Sequence, residues 1–282
     1  MMNPLTDAIT NDVRLALQED VRSGDVTGAL IPINQTSQAH VLTRENMVLS
    51  GKAWFDAALF QLDALATVDW LYDDGDSVES TQVLCRIKAN SRALLAAERV
   101  ALNFLQLLSG VATQTHAYAQ KITSNTKLLD TRKTLPNLRA AQKYAVTCGG
   151  GVNHRFGLYD AYLIKENHIK ACGSIKAAVL TARKNHPELI VEVEVESLEQ
   201  LDEALACSVD RIMLDNFSIV LIQQAIERRG DKPVAFEASG NVSLETIAEL
   251  SHTGVDFISV GALTKSVIAV DLSLLVDDVF DE

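Results

Sequence analysis

The sequence has few cysteines and no close pair of them. The four are Cys85, Cys148, Cys172 and Cys207, and no Cys-x-x-Cys motif occurs. Scattered cysteines argue against a disulfide framework, and the lack of paired ligands argues against a zinc site. We therefore expect a reduced protein in the cytoplasm.

Long apolar runs, low-complexity segments and short internal repeats are also absent from the sequence. No run approaches the roughly eighteen apolar residues that a membrane-spanning helix needs. The opening residues MMNPLTDAIT lack the basic start and apolar core of a signal peptide, so we expect no membrane association. With 282 residues, 48% of them hydrophobic, the chain can bury a full core in one large α/β domain or two smaller domains.

Positive charge is scarce overall but concentrated in one segment. The chain carries 25 Lys and Arg against 37 Asp and Glu, a net charge of −12. Ten of the basic residues but only two acidic ones lie between Arg132 and Lys184, which leaves 15 basic against 35 acidic residues elsewhere. An acidic surround would repel the long polyanion of nucleic acid, so we expect no such partner. The cluster suits a small, multiply charged anion held in one pocket.

The cations of this segment fall into two groups. Lys176, Arg183 and Lys184 lie on an evident surface helix, where a solvated helix face explains them. Of the others, four stand together with His154 beside turns or strand ends, where cations converge on a ligand rather than radiate into solvent. They are Arg132, Lys133, His154, Arg155 and Lys165.

The first part of the chain indicates a compact α+β unit. Residues 5–20 have the apolar spacing of an amphipathic helix, and residues 51–65 are also helical in pattern. Residues 37–44 and 81–89 alternate well enough to predict strands. Little in this part of the sequence carries chemistry.

A long helix is predicted over 91–110, beginning at an N-cap serine and ending at a glycine, with a second helix over 112–122. The first helix is apolar almost all round, which indicates burial at a domain or subunit interface. Its polar residues form one stripe, which either faces solvent or projects an arginine into a polar cavity. The stripe comprises Arg92, Arg99, Asn103 and Gln106.

Strands and helices then alternate regularly, as in a parallel sheet built from βαβ units. The predicted strands span 127–130, 161–165, 189–195, 211–215, 233–239 and 256–261. Polar residues stand at or just past the carboxyl end of each strand, where a parallel α/β barrel has its active site. They are Asp130, Arg132, Lys133, Lys165, Glu194, Asp215, Glu237, Ser239, Ser259 and Gly261.

Small residues and a helix start follow the last two strands, in EASGN (237–241) and SVGALTKS (259–266). Barrels build a phosphate pocket from their final loops in this way, with backbone N–H groups and helix dipoles as the donors. The acidic end LLVDDVFDE (274–282) imitates part of a diphosphate-sugar site but lacks the Thr/Gly loop that should follow. We interpret it as a strand or helix with a solvated end.

Together these motifs resemble the quinolinate phosphoribosyltransferase family, and the match keeps motif order and spacing over nearly the whole chain. It is carried by DTRKT (130–134), KYAV (143–146), GGGVNHRFGL (149–158), LIKENH (163–168), VEVEVESL (191–198), MLDNF (213–217), EASGN (237–241) and SVGALT (259–264). The resemblance implies an α/β fold, with an N-terminal α+β sandwich followed by an incomplete TIM-like barrel of about six parallel strands. We expect domains over 1–110 and 111–266, with a tail over 267–282 that packs back on the first domain.

The family reaction transfers phosphoribosyl from phosphoribosyl diphosphate to quinolinate with Mg²⁺, giving nicotinate mononucleotide, diphosphate and CO₂ for NAD biosynthesis. The resemblance therefore implies a pentosyltransferase that acts as a cytoplasmic homodimer, with Arg99 donated across the interface; larger assemblies stay open. A molybdenum-associated group shares the architecture, but the full set of cations in this chain favours the quinolinate branch.

The resemblance also implies roles for individual residues, since a dianionic acceptor and a diphosphate donor need several fixed cations. Arg132, His154, Arg155 and Lys165, with Arg99 of the partner subunit, are expected to hold the two carboxylates, and Lys133 to face the diphosphate. Glu194 and Asp215 are expected below the ribose, where they stabilise an oxocarbenium-like carbon or bind Mg²⁺ through water. Lys133, Lys165, Glu194 and Asp215 are the expected catalytic residues. The remaining substrate contacts are expected from Thr131, Ser239, Gly240, Asn241, Val260, Gly261 and Ala262, most of them around the 5′-phosphate.

Two other functions stay open on the residues alone. Lys165 at a barrel strand end could form a Schiff base, as in an aldolase, but this explains neither Glu194 with Asp215 nor the number of cations. A phosphometabolite-binding regulator would bind the donor without turnover, although no segment resembles an effector or DNA-binding module. Lys265 stands where some members of the family carry histidine, so its role is open.

Overall fold

The computed structural model describes residues 4–281, which separate into two compact units. The first comprises the residues up to His116, Thr134–Gly150 and the residues from Leu263 onward; the second comprises Ala117–Lys133 and Gly151–Ala262. These units are interleaved along the chain, whereas the sequence predicted contiguous domains. Hydrogen bonds explain the placement of residues 134–150, because Gln142 Nε2 donates to the Thr264 carbonyl and the Tyr144 hydroxyl donates to Asp74.

Helices and strands alternate through most of the chain, as the sequence predicted. The helices are α1 Pro4–Asp20, α2 Lys52–Phe60, α3 Ser91–Ala119, α4 Arg139–Cys148, α5 Glu166–Cys172, α6 Ile175–Asn185, α7 Leu198–Leu205, α8 Ile219–Arg229, α9 Ile247–Ser251 and α10 Ala262–Lys265. The strands are β1 Gln35–Thr43, β2 Met47–Val48, β3 Thr67–Trp70, β4 Ser77–Val78, β5 Val83–Asn90, β6 Lys127–Leu129, β7 Ala161–Ile164, β8 Ile190–Val195, β9 Arg211–Asp215, β10 Ala235–Ser239, β11 Phe257–Ser259 and β12 Leu272–Asp281. A short 3₁₀ helix lies at Gly28–Leu30.

The second unit contains a six-stranded sheet in the order β6-β11-β10-β9-β8-β7, and every neighbouring pair is parallel. This order places β6 and β7 at the two edges, so the sheet is the incomplete barrel that the sequence predicted. Every second residue of a strand faces the helices, and those of the central strands, such as Val193, Ile212 and Phe236, are fully buried. The alternate positions face the inside of the barrel, where polar residues gather.

The first unit is built on an antiparallel sheet in the order β12-β1-β5-β3. β12 pairs with β1 along its whole length, from Thr43 opposite Leu272 to Gln35 opposite Asp281. The acidic end of the chain is therefore a strand, one of the two forms expected for it. Strand β1 lies between β5 and β12, so residues from both ends of the chain complete one sheet.

The long helix differs from its prediction at both its start and its end. The sequence predicted two helices divided at Gly110, but α3 continues unbroken for 29 residues. Gly110 is needed for packing, because a Cβ atom there would lie 2.2 Å from the Ile268 carbonyl oxygen. At its start, the Asn90 side chain accepts hydrogen bonds from the Arg92 and Ala93 amides, so Asn90 is a capping residue where the sequence suggested Ser91.

By length and composition, α3 could also cross a membrane, whereas the sequence predicted no membrane-spanning helix. Its most apolar window has a mean hydropathy of 1.3, yet 61% of that window is buried inside the protein. Burial of this kind is typical of the core helix of a soluble protein, which passes the same test. Contacts with the first unit agree, since Thr113 accepts from the Val48 amide and Ser109 from the Ser50 amide.

Replacing Gly110 with alanine tests the close approach of the chain at Ile268. Helix propensity alone favours alanine over glycine by about 0.5–1 kcal/mol. Because the added Cβ would meet a backbone carbonyl oxygen at 2.2 Å, we expect instead a loss of about 1–3 kcal/mol in the free energy of unfolding. Urea denaturation of both proteins measures the difference, and a more stable Gly110→Ala variant would contradict the packing described.

Candidate active site

A cavity of about 280 Å³ lies in the second unit, at the carboxyl ends of the parallel strands. It brings together many of the polar residues that the sequence placed at strand ends. From the expected set it is lined by Thr131, Arg132, Lys133, His154, Arg155, Lys165, Glu194, Asp215 and Ser239. Leu163, Met213, Glu237 and Ser259 complete the lining. The carboxyl end of a parallel α/β barrel is the usual place for an active site.

Strand register explains why the acidic and hydroxyl side chains meet. Asp215 in β9 is directly opposite Ser239 in β10, and Glu194 in β8 is opposite Met213. All four side chains lie on the face of the sheet that points into the barrel, because alternate residues of a strand lie on the same face. Lys165 follows β7 directly, and its backbone is fixed because its N–H donates to His168 Nδ1 at 3.0 Å.

Two guanidinium groups converge at the cavity. The pKa of Arg155 is lowered by burial and by the neighbouring charge of Arg132. Arg155 also donates to the Ala161 carbonyl at 3.2 Å, which holds its side chain near the start of β7. Like charges this close repel each other, so the arrangement is suited to an anion with more than one negative group.

Three carboxylates gather beside these cations. One carboxylate oxygen from each of Glu194, Glu196 and Asp215 lies within 4.8 Å of the other two. Lys165 donates to Glu194 Oε2, and Asn216 donates to Asp215 Oδ2 at 2.9 Å. An all-oxygen set of this kind fits Mg²⁺, which prefers carboxylates and water. The sequence predicted Glu194 and Asp215 here but not Glu196.

The loops after β10 and β11 carry the residues expected around a phosphate. Gly240 and Asn241 both have positive φ, at 101° and 48°, and a Cβ on Gly240 would lie 2.2 Å from Asn216 Oδ1. A glycine is therefore required at position 240, where the turn after β10 meets Asn216 in the turn after β9. Gly261 lies close to Lys133, since a Cβ there would be 3.0 Å from Lys133 Cδ.

The helix starts expected after these two loops are only partly present. α10 begins at Ala262, directly after Gly261, but α9 begins at Ile247, well beyond Asn241. A hydrogen-bonded turn occupies the interval, in which the Ser243 amide donates to Thr246 Oγ1 at 3.0 Å. Val260 is buried, and its N–H donates to the Leu129 carbonyl. Lys265 is exposed at the end of α10.

Arg99 belongs to the first unit and is not among the residues that line the cavity. Its side chain is 61% exposed, and Glu98 is 3.8 Å away. It lines a second cavity of about 350 Å³ with residues of α1 and with Asn103 and Asn137. Arg92 from the same predicted stripe has a structural role, because its Nε donates to the Ile31 carbonyl at 2.7 Å. The stripe therefore does not act as one unit.

A buried charge cluster lies at the wall of the cavity; the sequence indicated its members His154 and Glu237 but not Glu192, Arg211 or the grouping of the four. His154 Nε2 is 3.0 Å from Glu192 Oε2 and 3.4 Å from Glu237 Oε2. Arg211 approaches Glu237 Oε2 at 3.1 Å and Glu192 Oε2 at 3.9 Å. A signal for this cluster was available, because Glu192 and Arg211 are charged residues within strands that should be apolar.

Two opposing influences act on the protonation of this cluster, the buried carboxylates and a main-chain contact. Burial, reinforced by the charge of Glu237, raises the pKa of Glu192 to about 7. Burial lowers the pKa of His154, but Glu192 and Glu237 outweigh it and raise that pKa to about 9. A charged ring would carry a proton on Nδ1, where the Arg155 N–H already donates at 2.7 Å. This contact favours the neutral ring with its proton on Nε2, and it opposes the effect of the two carboxylates on the His154 pKa.

The chain matches two family models. Residues 25–109 match the model described as Quinolinate phosphoribosyl transferase, N-terminal domain, and residues 111–275 match its C-terminal domain. The nicotinate-nucleotide pyrophosphorylase (carboxylating) of Mycobacterium leprae is 45% identical over 278 residues, which cover 95% of this chain and 97% of that protein. The chloroplastic protein of the same name from Arabidopsis thaliana is 40% identical over 286 residues, or 94% of this chain and 82% of that protein.

Solved structures give the same result. The nicotinate-nucleotide pyrophosphorylase from Francisella tularensis superposes with a TM-score of 0.93 and 46% identity, covering 98% of this chain and 100% of that one. NadC from Streptococcus pyogenes superposes with a TM-score of 0.92 and 40% identity, covering 99% of each chain. The similarity therefore extends through both units of the fold.

Proposed function

The chain belongs to the quinolinate phosphoribosyltransferase family, and on this premise we propose that it transfers phosphoribosyl from phosphoribosyl diphosphate to quinolinate with loss of CO₂. The products are nicotinate mononucleotide and diphosphate, so the reaction serves NAD biosynthesis. The observation that carries the proposal is the cavity that joins Arg132, Arg155 and Lys165 to Glu194 and Asp215. It offers cations to an acidic acceptor and carboxylates to a reacting sugar in one place.

The cations bind and orient the acceptor. Quinolinate has two adjacent carboxylates, and guanidinium groups bind carboxylates through paired N–H donors. Arg132, Arg155 and Lys165 fix both carboxylates, which directs the ring nitrogen toward the anomeric carbon of the donor. Holding two reactants in this way replaces a bimolecular encounter with an oriented one.

The carboxylates and loops act on the donor. As the bond to diphosphate breaks, positive charge develops on the sugar, and Glu194 and Asp215 stabilise it. Lys133 faces the departing diphosphate, beside the space left by Gly261. The 5′-phosphate is held at the loops after β10 and β11, where the residues are Ser239, Gly240, Asn241, Gly261 and Ala262.

We propose Mg²⁺ as the cofactor, with Glu194, Glu196 and Asp215 as the residues that hold it directly or through water. When bound, the ion supplies positive charge to the diphosphate group. After the ring nitrogen forms its bond to the sugar, the pyridinium accepts the electron pair released as the adjacent carboxylate leaves as CO₂. That ring carbon then takes up a proton, so positioning and charge are the main contributions of the protein.

We further propose a cytoplasmic homodimer in which Arg99 of the partner subunit completes each site. The exposure of the Arg99 side chain supports this role, since 61% of it is accessible and its nearest ion-pair contact is a neighbour on the same helix. A symmetric dimer would place two such arginines, one for each site.

Substrate selectivity tests the proposed function. Nicotinate has the ring nitrogen and one carboxylate of quinolinate but lacks the second carboxylate, so it would leave cations of the cavity unpaired. We expect kcat/KM for quinolinate to exceed that for nicotinate by roughly 10⁴-fold, measured with phosphoribosyl diphosphate and Mg²⁺.

Comparable kcat/KM values for the two acids would contradict the assignment of the cations. Donor binding without any turnover would favour the regulator instead. Borohydride trapping of a carbonyl substrate on Lys165 would favour the aldolase.

A further inference from the structure

The loop that carries Arg155 has an unusual set of hydrogen bonds. Residues 154–157 lie between β6 and β7, outside any helix or strand. The His154 N–H donates to the buried carboxylate of Asp130, and the Arg155 N–H donates to the His154 ring. The next two N–H groups, of Phe156 and Gly157, both donate to Asp160. Side chains therefore fix the path of the main chain on both sides of Arg155.

The His154 ring has both of its nitrogens directed at protein groups. Nδ1 accepts from the Arg155 N–H at 2.7 Å, and Nε2 lies 3.0 Å from Glu192. An imidazole that accepts at Nδ1 must carry its proton on Nε2, which is the nitrogen that faces the two carboxylates. The ring in this orientation supports the Arg155 main chain and does not present a nitrogen to a ligand.

The two glutamates are more deeply buried than the ring that they face. Their side chains are 2% and 0% exposed for Glu192 and Glu237, and they project from two central strands. Arg211 projects from the strand between these two, and it also stacks on the Phe257 ring at 4.1 Å. Arg211 thus holds the carboxylates of Glu192 and Glu237 in place by ion pairs, and these carboxylates orient the His154 ring.

We propose that Glu192 and Glu237 are positioning residues for the acceptor, which hold the His154 ring in its Nε2–H tautomer and thereby fix Arg155. The proposal rests on the proposed function, because it assigns Arg155 to a quinolinate carboxylate. It gives His154 an indirect role, whereas the resemblance implied direct contact with the acceptor. Residues within the sheet thus determine where a loop arginine stands.

A metal site is the main alternative for this cluster, since the ligand atoms of His154, Glu192 and Glu237 lie within 4.8 Å of one another. The Arg211 guanidinium stands 3.1 Å from Glu237 and provides the compensating positive charge. A divalent cation among the same groups would be repelled by it. The geometry therefore favours an organised ion-pair network.

The test uses a single variant, Glu237→Gln, and a double variant that combines Glu192→Gln with Glu237→Gln. The control is Glu188→Gln, which changes an exposed glutamate just before β8. We expect KM for quinolinate to rise tenfold or more in the double variant, with KM for phosphoribosyl diphosphate within twofold of the wild type. Glu188→Gln should leave both values unchanged. A general loss of structure would raise both KM values and lower kcat, so the split between the substrates separates positioning from stability.

A spectroscopic measurement keeps the proposal testable should the double variant fail to fold. The chain has six histidines, so the NMR spectrum of protein labelled with ¹⁵N-histidine is simple. The signals of the His154 ring are those that disappear in the His154→Gln variant. We expect a neutral ring with its proton on Nε2 in the wild type, and a mixture of tautomers in Glu237→Gln. A wild-type ring protonated on Nδ1, or an unchanged KM for quinolinate in a folded double variant, would overturn the proposal. Wild-type protein that never consumes quinolinate would instead refute the proposed function, whatever the tautomer.

Discussion

Alanine at Arg155 or Lys165 is expected to remove about 2–5 kcal/mol of transition-state stabilisation, or roughly thirty- to several-thousand-fold in kcat/KM. Both side chains line the cavity, and each is proposed to bind a carboxylate that would otherwise be buried without a partner. Steady-state kinetics with both substrates measures the loss. Circular dichroism and urea denaturation establish that the variants are folded.

Lys176→Ala is a matched control for these two variants. It removes the same charge from an exposed position on α6, where the sequence already indicated a solvated face. We expect its activity and stability to stay close to those of the wild type. Near-normal kcat/KM in folded Arg155→Ala or Lys165→Ala would remove that residue from the site.

Mixing two inactive variants is expected to restore activity if the site is shared between subunits. An Arg99→Ala chain keeps an intact barrel but donates a defective arginine, and a Lys165→Ala chain does the reverse. In a mixed dimer, one of the two sites combines the intact barrel with the intact arginine, as two-fold symmetry requires. Co-refolding should give about a quarter of wild-type activity if half of the dimers are mixed, each with one working site.

The control is the same refolding carried out on each variant alone, which should stay nearly inactive. Mass spectrometry of differently tagged chains establishes whether mixed dimers form. If they form without recovery of activity, Arg99 acts within its own chain or has no part in the reaction.

Strand-end chemistry was predictable because it depends on local patterns. Lys165 follows β7, Asp215 ends β9 and Glu194 is the penultimate residue of β8, and parallel strands bring such positions to one edge of the sheet. The hydrophobic pattern predicts where each strand lies and which of its residues point into the barrel, so these three residues could be grouped from the sequence.

The buried cluster of His154, Glu192, Arg211 and Glu237 was harder to predict from the sequence, because it depends on the register between neighbouring strands. Glu192 is directly opposite Arg211, and Arg211 is opposite Ala235, so Glu237 lies one inward step further along β10. A charged residue in a buried strand indicates that a partner exists but does not identify it. The predicted helix end at Gly110 was wrong for a related reason. The packing neighbour of Gly110, Ile268, is remote in sequence, and only the folded chain brings the two together.

The pairing of β1 with β12 imposes an order on biosynthesis. β1 occupies residues 35–43, whereas its partner spans residues 272–281, so β12 leaves the ribosome only after the whole parallel sheet has been made. During that interval β1 has a partner on one side only, and an unpaired strand edge can join with other chains. The parallel sheet needs no part of β12, so it can form on the nascent chain while the first unit waits for its last strand. Aggregation during synthesis is therefore expected to begin at β1.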